Sequence, residues 1–172
     1  APDASTAFTV QLDAATAGDY SGKVSFTSND GWADSRFQFT LSGTVLASGA
    51  AIQVRDGSTA LANGGSDNLG TTATGSPLIR TFTIRNVGDQ TLTLSPESLS
   101  LPTGLSLVTP FAASVAPNES TTLVVQLDAA SLGDYSGTLS FTTGDSANST
   151  FTLQVSGSVT VPAPEIQVSV AG

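Results

Sequence analysis

Residues 115–159 read VAPNESTTLVVQLDAASLGDYSGTLSFTTGDSANSTFTLQVSGSV, and residues 1–45 carry almost the same text, with roughly 18 of the first 28 aligned positions identical. Few features constrain a fold as tightly as an internal copy, because both copies must suit one structural unit. In the first copy Phe8, Val10 and Leu12 alternate with Thr9 and Gln11. Tyr20, Gly22, Val24 and Phe26 then alternate with Ser21, Lys23 and Ser25, and Phe37, Phe39 and Leu41 with Gln38, Thr40 and Ser42. Apolar residues at every second position mark half-buried strands, so each copy predicts three of them. Three strands with one apolar face do not close a core. The first copy is therefore expected to be an incomplete unit, covered either by a preceding chain segment or by a strand such as 165–170 donated by a neighbour.

Between the copies the alternation continues. Ile52 and Val54 open a strand, Asn63-Gly64-Gly65 marks a tight turn, and Phe82 and Ile84 share a face opposite Thr81, Thr83 and Arg85. Leu92 and Leu94 point inward after the turn at 87–90. Pro96, Pro102 and Pro110 punctuate the next stretch, which reads as short edge strands. About seven strands with frequent turn signals and no helical period predict an all-β Ig-like β-sandwich, with a closed barrel as the competing architecture. Pro162-Ala163-Pro164 forms a stiff linker, and Ile166-Gln167-Val168 repeats Ile52-Gln53-Val54 at a spacing of about 114 residues. The expected organisation is tandem. Residues 1–48 are the last three strands of one repeat, 49–161 a complete repeat, and 162–172 a linker with the first strand of a further one.

Composition narrows the classes of function. The net charge is −9, with fourteen acids against Lys23, Arg36, Arg55, Arg80 and Arg85, so a nucleic-acid backbone would be repelled. No apolar run is long enough to span a membrane. Cysteine and histidine are both absent, which removes disulfides, thiolate chemistry, most zinc sites and any histidine-activated nucleophile. Charged residues make up 11 %, against about 25 % in ordinary globular chains. Ser, Thr, Gly and Ala replace them, giving a hydroxyl-rich surface suited to exposed strands. No enzyme activity and no cofactor are expected.

Phe82-Thr-Ile-Arg-Asn86-Val-Gly88, Leu92-Thr-Leu94, Ala116-Pro-Asn-Glu-Ser120, Gly133-Asp-Tyr135-Ser-Gly137-Thr-Leu-Ser-Phe141 and Val155-Ser-Gly157 follow one another in a recognisable order. The pattern resembles the Hydin/ASPM-type (ASH) Ig-like domains, especially their bacterial relatives in choice-of-anchor D surface proteins. Ser28-Asn29-Asp30 matches the turn usual in that family, whereas Thr143-Gly144-Asp145 departs from it. The resemblance implies a scaffold without catalytic residues. Together with the Cys-free, Thr-rich composition, it implies an extracellular or cell-surface bacterial protein.

Among individual residues, Tyr20 and Tyr135 in Gly-Asp-Tyr-Ser-Gly are placed for a tyrosine corner, in which the hydroxyl bonds local backbone. Asp13, Asp19, Asp128 and Asp134 flank the same loop, but its alanines supply too few oxygens for calcium, and turn capping is the expected role. Asn118 and Asn148 open N-glycosylation sequons. The candidate interaction loop is Asn29, Asp30, Trp32 and Asp34, where a tryptophan at a hairpin tip could stack on a sugar or anchor a neighbouring domain. The function expected from the sequence is a structural repeat module, serving as a spacer, fibre component or adhesive stalk, with neighbouring repeats or copies as partners. The alternatives are a glycan- or protein-binding module and an accessory domain of a secreted hydrolase. On a glycan array, the binding alternative expects signal that Trp32→Ala abolishes; signal independent of Trp32, or none, rejects it.

Overall fold

The computed structural model describes residues 4–13, 15–28 and 36–162. Its described residues form strands without a helix, so the chain is all-β, and it divides into two units, Ala1–Ala47 and Ser48–Gly172. Strands are numbered β1 to β12 in chain order. The candidate loop of Asn29, Asp30, Trp32 and Asp34 lies outside the described residues, as does the segment 165–170.

The second unit is a sandwich of two five-stranded sheets. One sheet has the order β4-β3-β6-β10-β8, from Thr59–Leu61, Ile52–Asp56, Leu78–Asn86, Ser120–Leu127 and Leu105–Thr109. The other has the order β5-β12-β11-β7-β9, from Gly65–Ala73, Thr150–Thr160, Gly133–Thr143, Leu92–Ser100 and Ser114–Val115. Neighbours are antiparallel except β5 and β12, which run parallel. Inward residues alternate along each strand: Phe82 and Ile84 on β6, Leu123, Val125 and Leu127 on β10, Leu139 and Phe141 on β11, Phe151, Leu153 and Val155 on β12. Their side chains close one core, in which Phe141 packs between Phe111 and Phe151 at ring separations of 4.8 and 5.5 Å.

Two parts of this unit differ from the sequence expectation. Residues 65–73 form strand β5, although their polar, glycine-containing text shows no alternation; only Leu69 buries a large apolar side chain there, and pairing with β12 supplies the rest. β8 and β9 are the short edge strands expected in this stretch, but Pro96 lies inside the nine-residue β7, beyond the two residues that pair with β9. It is tolerated because β7 is irregular opposite β11, where Ser140 faces Ser100 while Thr142 faces Ser95. Ser98 fills the gap, its hydroxyl accepting the Thr142 N–H at 2.8 Å. With β4 and β9 also counted, the described residues of the unit form ten strands against the seven expected.

The described residues of the first unit form two strands, not three. β1 (Gly18–Thr27) and β2 (Arg36–Val45) form an antiparallel hairpin in the register that β11 and β12 use, Phe26 facing Phe37 as Phe141 faces Phe151. Residues 4–13, which correspond to β10, carry no strand. The second unit explains this. There β10 belongs to the sheet opposite β11 and β12 and draws its backbone partners from β6 and β8. Among the described residues of the first unit no counterpart of either exists, so the segment lies over the hairpin without a ladder. Phe8 holds it there, at 6.3 Å from Phe26 and 6.4 Å from Phe39.

The same positions are therefore covered in one unit and open in the other. Leu127 is 0 % exposed and its counterpart Leu12 45 %; for Phe141 and Phe26 the values are 1 % and 47 %. Leu127→Ala is accordingly expected to cost the second unit about 2–5 kcal/mol, whereas Leu12→Ala should shift the first by under about 0.5 kcal/mol. Residue-resolved hydrogen exchange under denaturant measures both, and equal costs would contradict the difference in cover.

Candidate functional site

Two buried polar residues organise the second unit. Asn86, at the end of β6, is fully enclosed. Its Nδ2 donates to the carbonyls of Gln90 and Val115, at 2.7 and 3.0 Å, and its Oδ1 accepts the N–H groups of Gly88 and Ala51, at 2.9 and 3.4 Å. The amide thus uses both ends to join the β6–β7 turn to the segment leading into β3. Gly88 must be glycine for a separate reason. A Cβ there would lie 2.0 Å from the Gly49 carbonyl oxygen and 2.7 Å from the Ala51 nitrogen. Asp89 completes the turn by accepting the Gly49 N–H at 2.7 Å.

Asp145 holds the same segment from the other sheet. Its Oδ2 accepts the Ile52 N–H at 3.0 Å and the Asn148 side-chain amide at 2.9 Å, while Oδ1 accepts the N–H groups of Ala147 and Asn148. Burial alone would raise its pKa, but these donors outweigh it, the Ile52 N–H first, and hold the carboxyl below its ordinary value of 3.8. The motif residues Asn86 and Gly88 were visible in the sequence. Asp145 was noted only as a departure from the family turn, and its link to Ile52, 93 residues away in the chain, had no local signal.

A third polar group lies between the sheets. Arg80 on β6 donates to the carbonyls of Asn68 and Leu69 on β5, at 3.1 and 2.8 Å, and pairs with Asp56 at 3.2 Å. Asp67, beside them, has its pKa raised, by burial first and by the Asp56 carboxylate second, with Arg80 opposing.

The residues singled out from sequence separate by role. Tyr20 and Tyr135 form the expected corners, their hydroxyls donating to the carbonyls of Thr16 and Ser131 at 2.9 Å. Asp19 and Asp134 do not cap turns. Each accepts a hydroxyl across its hairpin, from Thr44 at 2.8 Å and Ser158 at 2.6 Å, because the register sets those residues opposite one another. Asp128 accepts from Ser106 and from Gln126. Asn148 lies in the Asp145 turn, and Asn118, with φ of 65°, accepts a hydrogen bond from Arg85. The described residues contain no group of three or more acids that could hold a metal ion. Among the described residues, no helix is long and apolar enough to cross a membrane.

In the first unit the open inner face contains a groove of about 430 Å3, lined by Val10, Leu12, Tyr20, Gly22, Val24 and Leu41 among others. Its counterpart in the second unit is occupied by the loop after β7. Pro102 lies against Gly137, where a Cβ would stand 2.5 Å from the Pro102 Cβ, and the Tyr135 ring lies on the Gly104 backbone.

Two stacked sheets with this order, the tyrosine corner and a scaffold of backbone-directed polar groups define an Ig-like β-sandwich module. The HYDIN/CFA65/VesB-like Ig-like domain model matches residues 65–158, more than half of the chain. The chain belongs to that family. No curated protein matches it in sequence. Among solved structures, it is similar to a protein of unknown function from Porphyromonas gingivalis W83, at 15 % identity over 86 % of this chain and 68 % of that one, with a TM-score of 0.50. It also matches the ASH/PapD-like domain 7 of human CEP192, at 12 % identity over 65 % and 87 % of the two chains, TM-score 0.47. The secreted serine protease VesC from Vibrio cholerae matches at 13 % identity over 56 % of this chain and 22 % of that one, TM-score 0.44. At such identities the likeness speaks to the fold alone.

The Asp145 carboxylate predicts a direction for acid sensitivity. A folded pKa below the unfolded one contributes stability that is fully present above pH 3.8 and is lost as pH falls through the folded value. Asp67, with a raised folded pKa, acts oppositely: its contribution is present below pH 3.8 and is lost as pH rises through the folded value. Asp145→Asn would set an amide NH2 against two of the four donors, so it should cost about 1.5–3 kcal/mol at neutral pH and flatten the loss on acidification. Urea melts from pH 7 to pH 2 measure both; an unchanged pH slope would show that Asp145 is not the group responsible.

Proposed function

We propose that this chain is a spacing and force-carrying module of a large secreted or cell-surface bacterial protein, with neighbouring Ig-like units as its partners and no catalytic role. One observation carries the mechanical part. β5 and β12 lie near opposite ends of the second unit and run parallel over seven registered residue pairs, from Leu153 opposite Gly65 to Thr160 opposite Ala73. Tension entering at β3 is first held by the β3–β4 and β3–β6 pairs; once these part, it pulls β5 and β12 along their axes in opposite directions. Their hydrogen bonds are then loaded together and do not unzip one by one. The buried polar groups support the same reading, since Asn86 and Asp145 are spent on the backbone around the start of β3. The surface-protein setting rests on the Cys-free, Ser- and Thr-rich composition and on the presence of a secreted protease among the structural matches.

A second reading has its own support. The family takes part of its name from VesB, and the matching VesB structure is that of a Vibrio cholerae protease. An Ig-like unit of this kind could accordingly accompany a secreted hydrolase on one polypeptide. The two readings share the module and differ in what it is attached to.

Single-molecule extension from both ends of the chain tests the mechanical reading. The second unit should yield in one discrete force peak, releasing on the order of 3.3–3.6 Å per unfolded residue. Leu69→Ala, which removes the buried anchor of β5, should lower that peak. Extension without a peak, or a peak indifferent to Leu69, would reject the shear geometry as the functional feature.

A further inference from the structure

Gly22 is a glycine in the middle of a strand, with nothing within 4 Å of where a Cβ would be. Open space gives no reason for it. Glycine weakens a strand and is usual where another backbone or ligand comes close. The second unit shows what comes close: at Gly137, its counterpart, Pro102 fills the space, and two residues on Gly104 accepts the Tyr135 ring against its backbone. Tyr20 and Gly22 keep both halves of this receptor, and the groove they line is open. Around it Phe8, Val10, Leu12, Phe26, Phe37 and Leu41 are exposed, although their counterparts Leu123, Val125, Leu127, Phe141, Phe151 and Val155 are all buried. Both outer edges of the hairpin are free among the described residues, whereas β11 and β12 are flanked by β7 and β5.

The area fits a stable contact. Phe8, Tyr20, Phe26 and Phe37 are each about half exposed, and aromatic side chains bury about 150–250 Å2 when covered, so the four rings alone offer on the order of 300–500 Å2. Val10, Leu12, Leu41 and the two edges extend this toward the about 800 Å2 per partner of a standard interface. It already matches the largest apolar patch of an ordinary monomer.

We propose that this face is a docking surface for β-strands of the same polypeptide that carry the pattern of residues 49–115, arriving ahead of residue 4, and that its specificity element is a leucine-flanked Pro-x-Gly loop like Leu101-Pro102-Thr103-Gly104-Leu105. The proline ring seats on Gly22 and the glycine backbone on the Tyr20 ring. Strands like β5 and β7 extend the hairpin at its two edges, and strands like β6 and β8 give residues 4–13 the ladder they lack. The inference rests on the repeat reading proposed above, yet the two can fail separately: a force peak of the second unit says nothing about cover on the first.

The test joins a copy of residues 49–115 ahead of Ala1 of the 172-residue chain. Amide exchange across β1 and β2 should slow by on the order of 100-fold or more as local opening gives way to global unfolding, and binding of an apolar dye should fall. Gly22→Val should abolish both effects in the extended chain while leaving the second unit of the original chain unchanged. Because the chain has no cysteine, Ser25→Cys combined with Ser100→Cys in the added copy, at the counterparts of the facing pair Ser140 and Ser100, should form a disulfide on oxidation, and this decides the matter if the valine variant misfolds. Unchanged exchange together with no disulfide would overturn the proposal. So would a self-associated original chain whose β1 and β2 amides are already protected, since a second copy would then be the occupant.

Discussion

A sheet with one apolar face is stable in water only beneath a second layer, and every other feature of this chain follows from how that cover is supplied. In the second unit β10 and its neighbours lie across from β11 and β12, and the inward Phe, Leu and Val side chains are removed from water together. In the first unit the same text forms the same hairpin, register for register, and stops there. Hydrogen bonding between adjacent strands is local enough to form from the hairpin alone. Burial is not, because it needs strands that residues 4–45 do not contain.

Polar groups in this setting act as fasteners. A sandwich must admit its first strand from outside, and the lead-in backbone around residues 49–52 would otherwise face the core edge with unpaired N–H groups, each costing about 1–3 kcal/mol. Asn86, Asp89 and Asp145 take up these donors from three directions, and Gly88 makes the room that brings the chains together. Arg80 does the same between the sheets, reaching the β5 carbonyls from β6. These residues are chemically capable, but most of their capacity is committed to backbone, with Arg80 also paired to Asp56 and Asp145 to the Asn148 amide.

Much of the fold was legible in the chain. The alternation of Phe82 with Ile84, and of Leu123 with Val125 and Leu127, is a direct imprint of one-sided burial. Tyr135 announced its corner through the residues around it. The parts that escaped share a physical cause. β5 is held by its partner β12 and so shows no pattern of its own, and Pro96 is admitted by a register shift that exists only once β7 meets β11. Asp145 is made important by Ile52, far away in sequence. The candidate loop of Asn29, Asp30, Trp32 and Asp34 falls outside the described residues, and the structure neither assembles nor disperses it.

By itself the sequence determined the all-β class, the strand faces, the tyrosine corners and the likeness of the two copies, because each is written in residue types a few positions apart. Tertiary structure decided which copy is a finished unit. It also decided what Asn86 and Asp145 bind, and that Gly137 is filled where Gly22 is empty. Those outcomes depend on contacts between segments distant in the chain, and closely related segments acquire different fates when only one of them has its opposite sheet among the described residues.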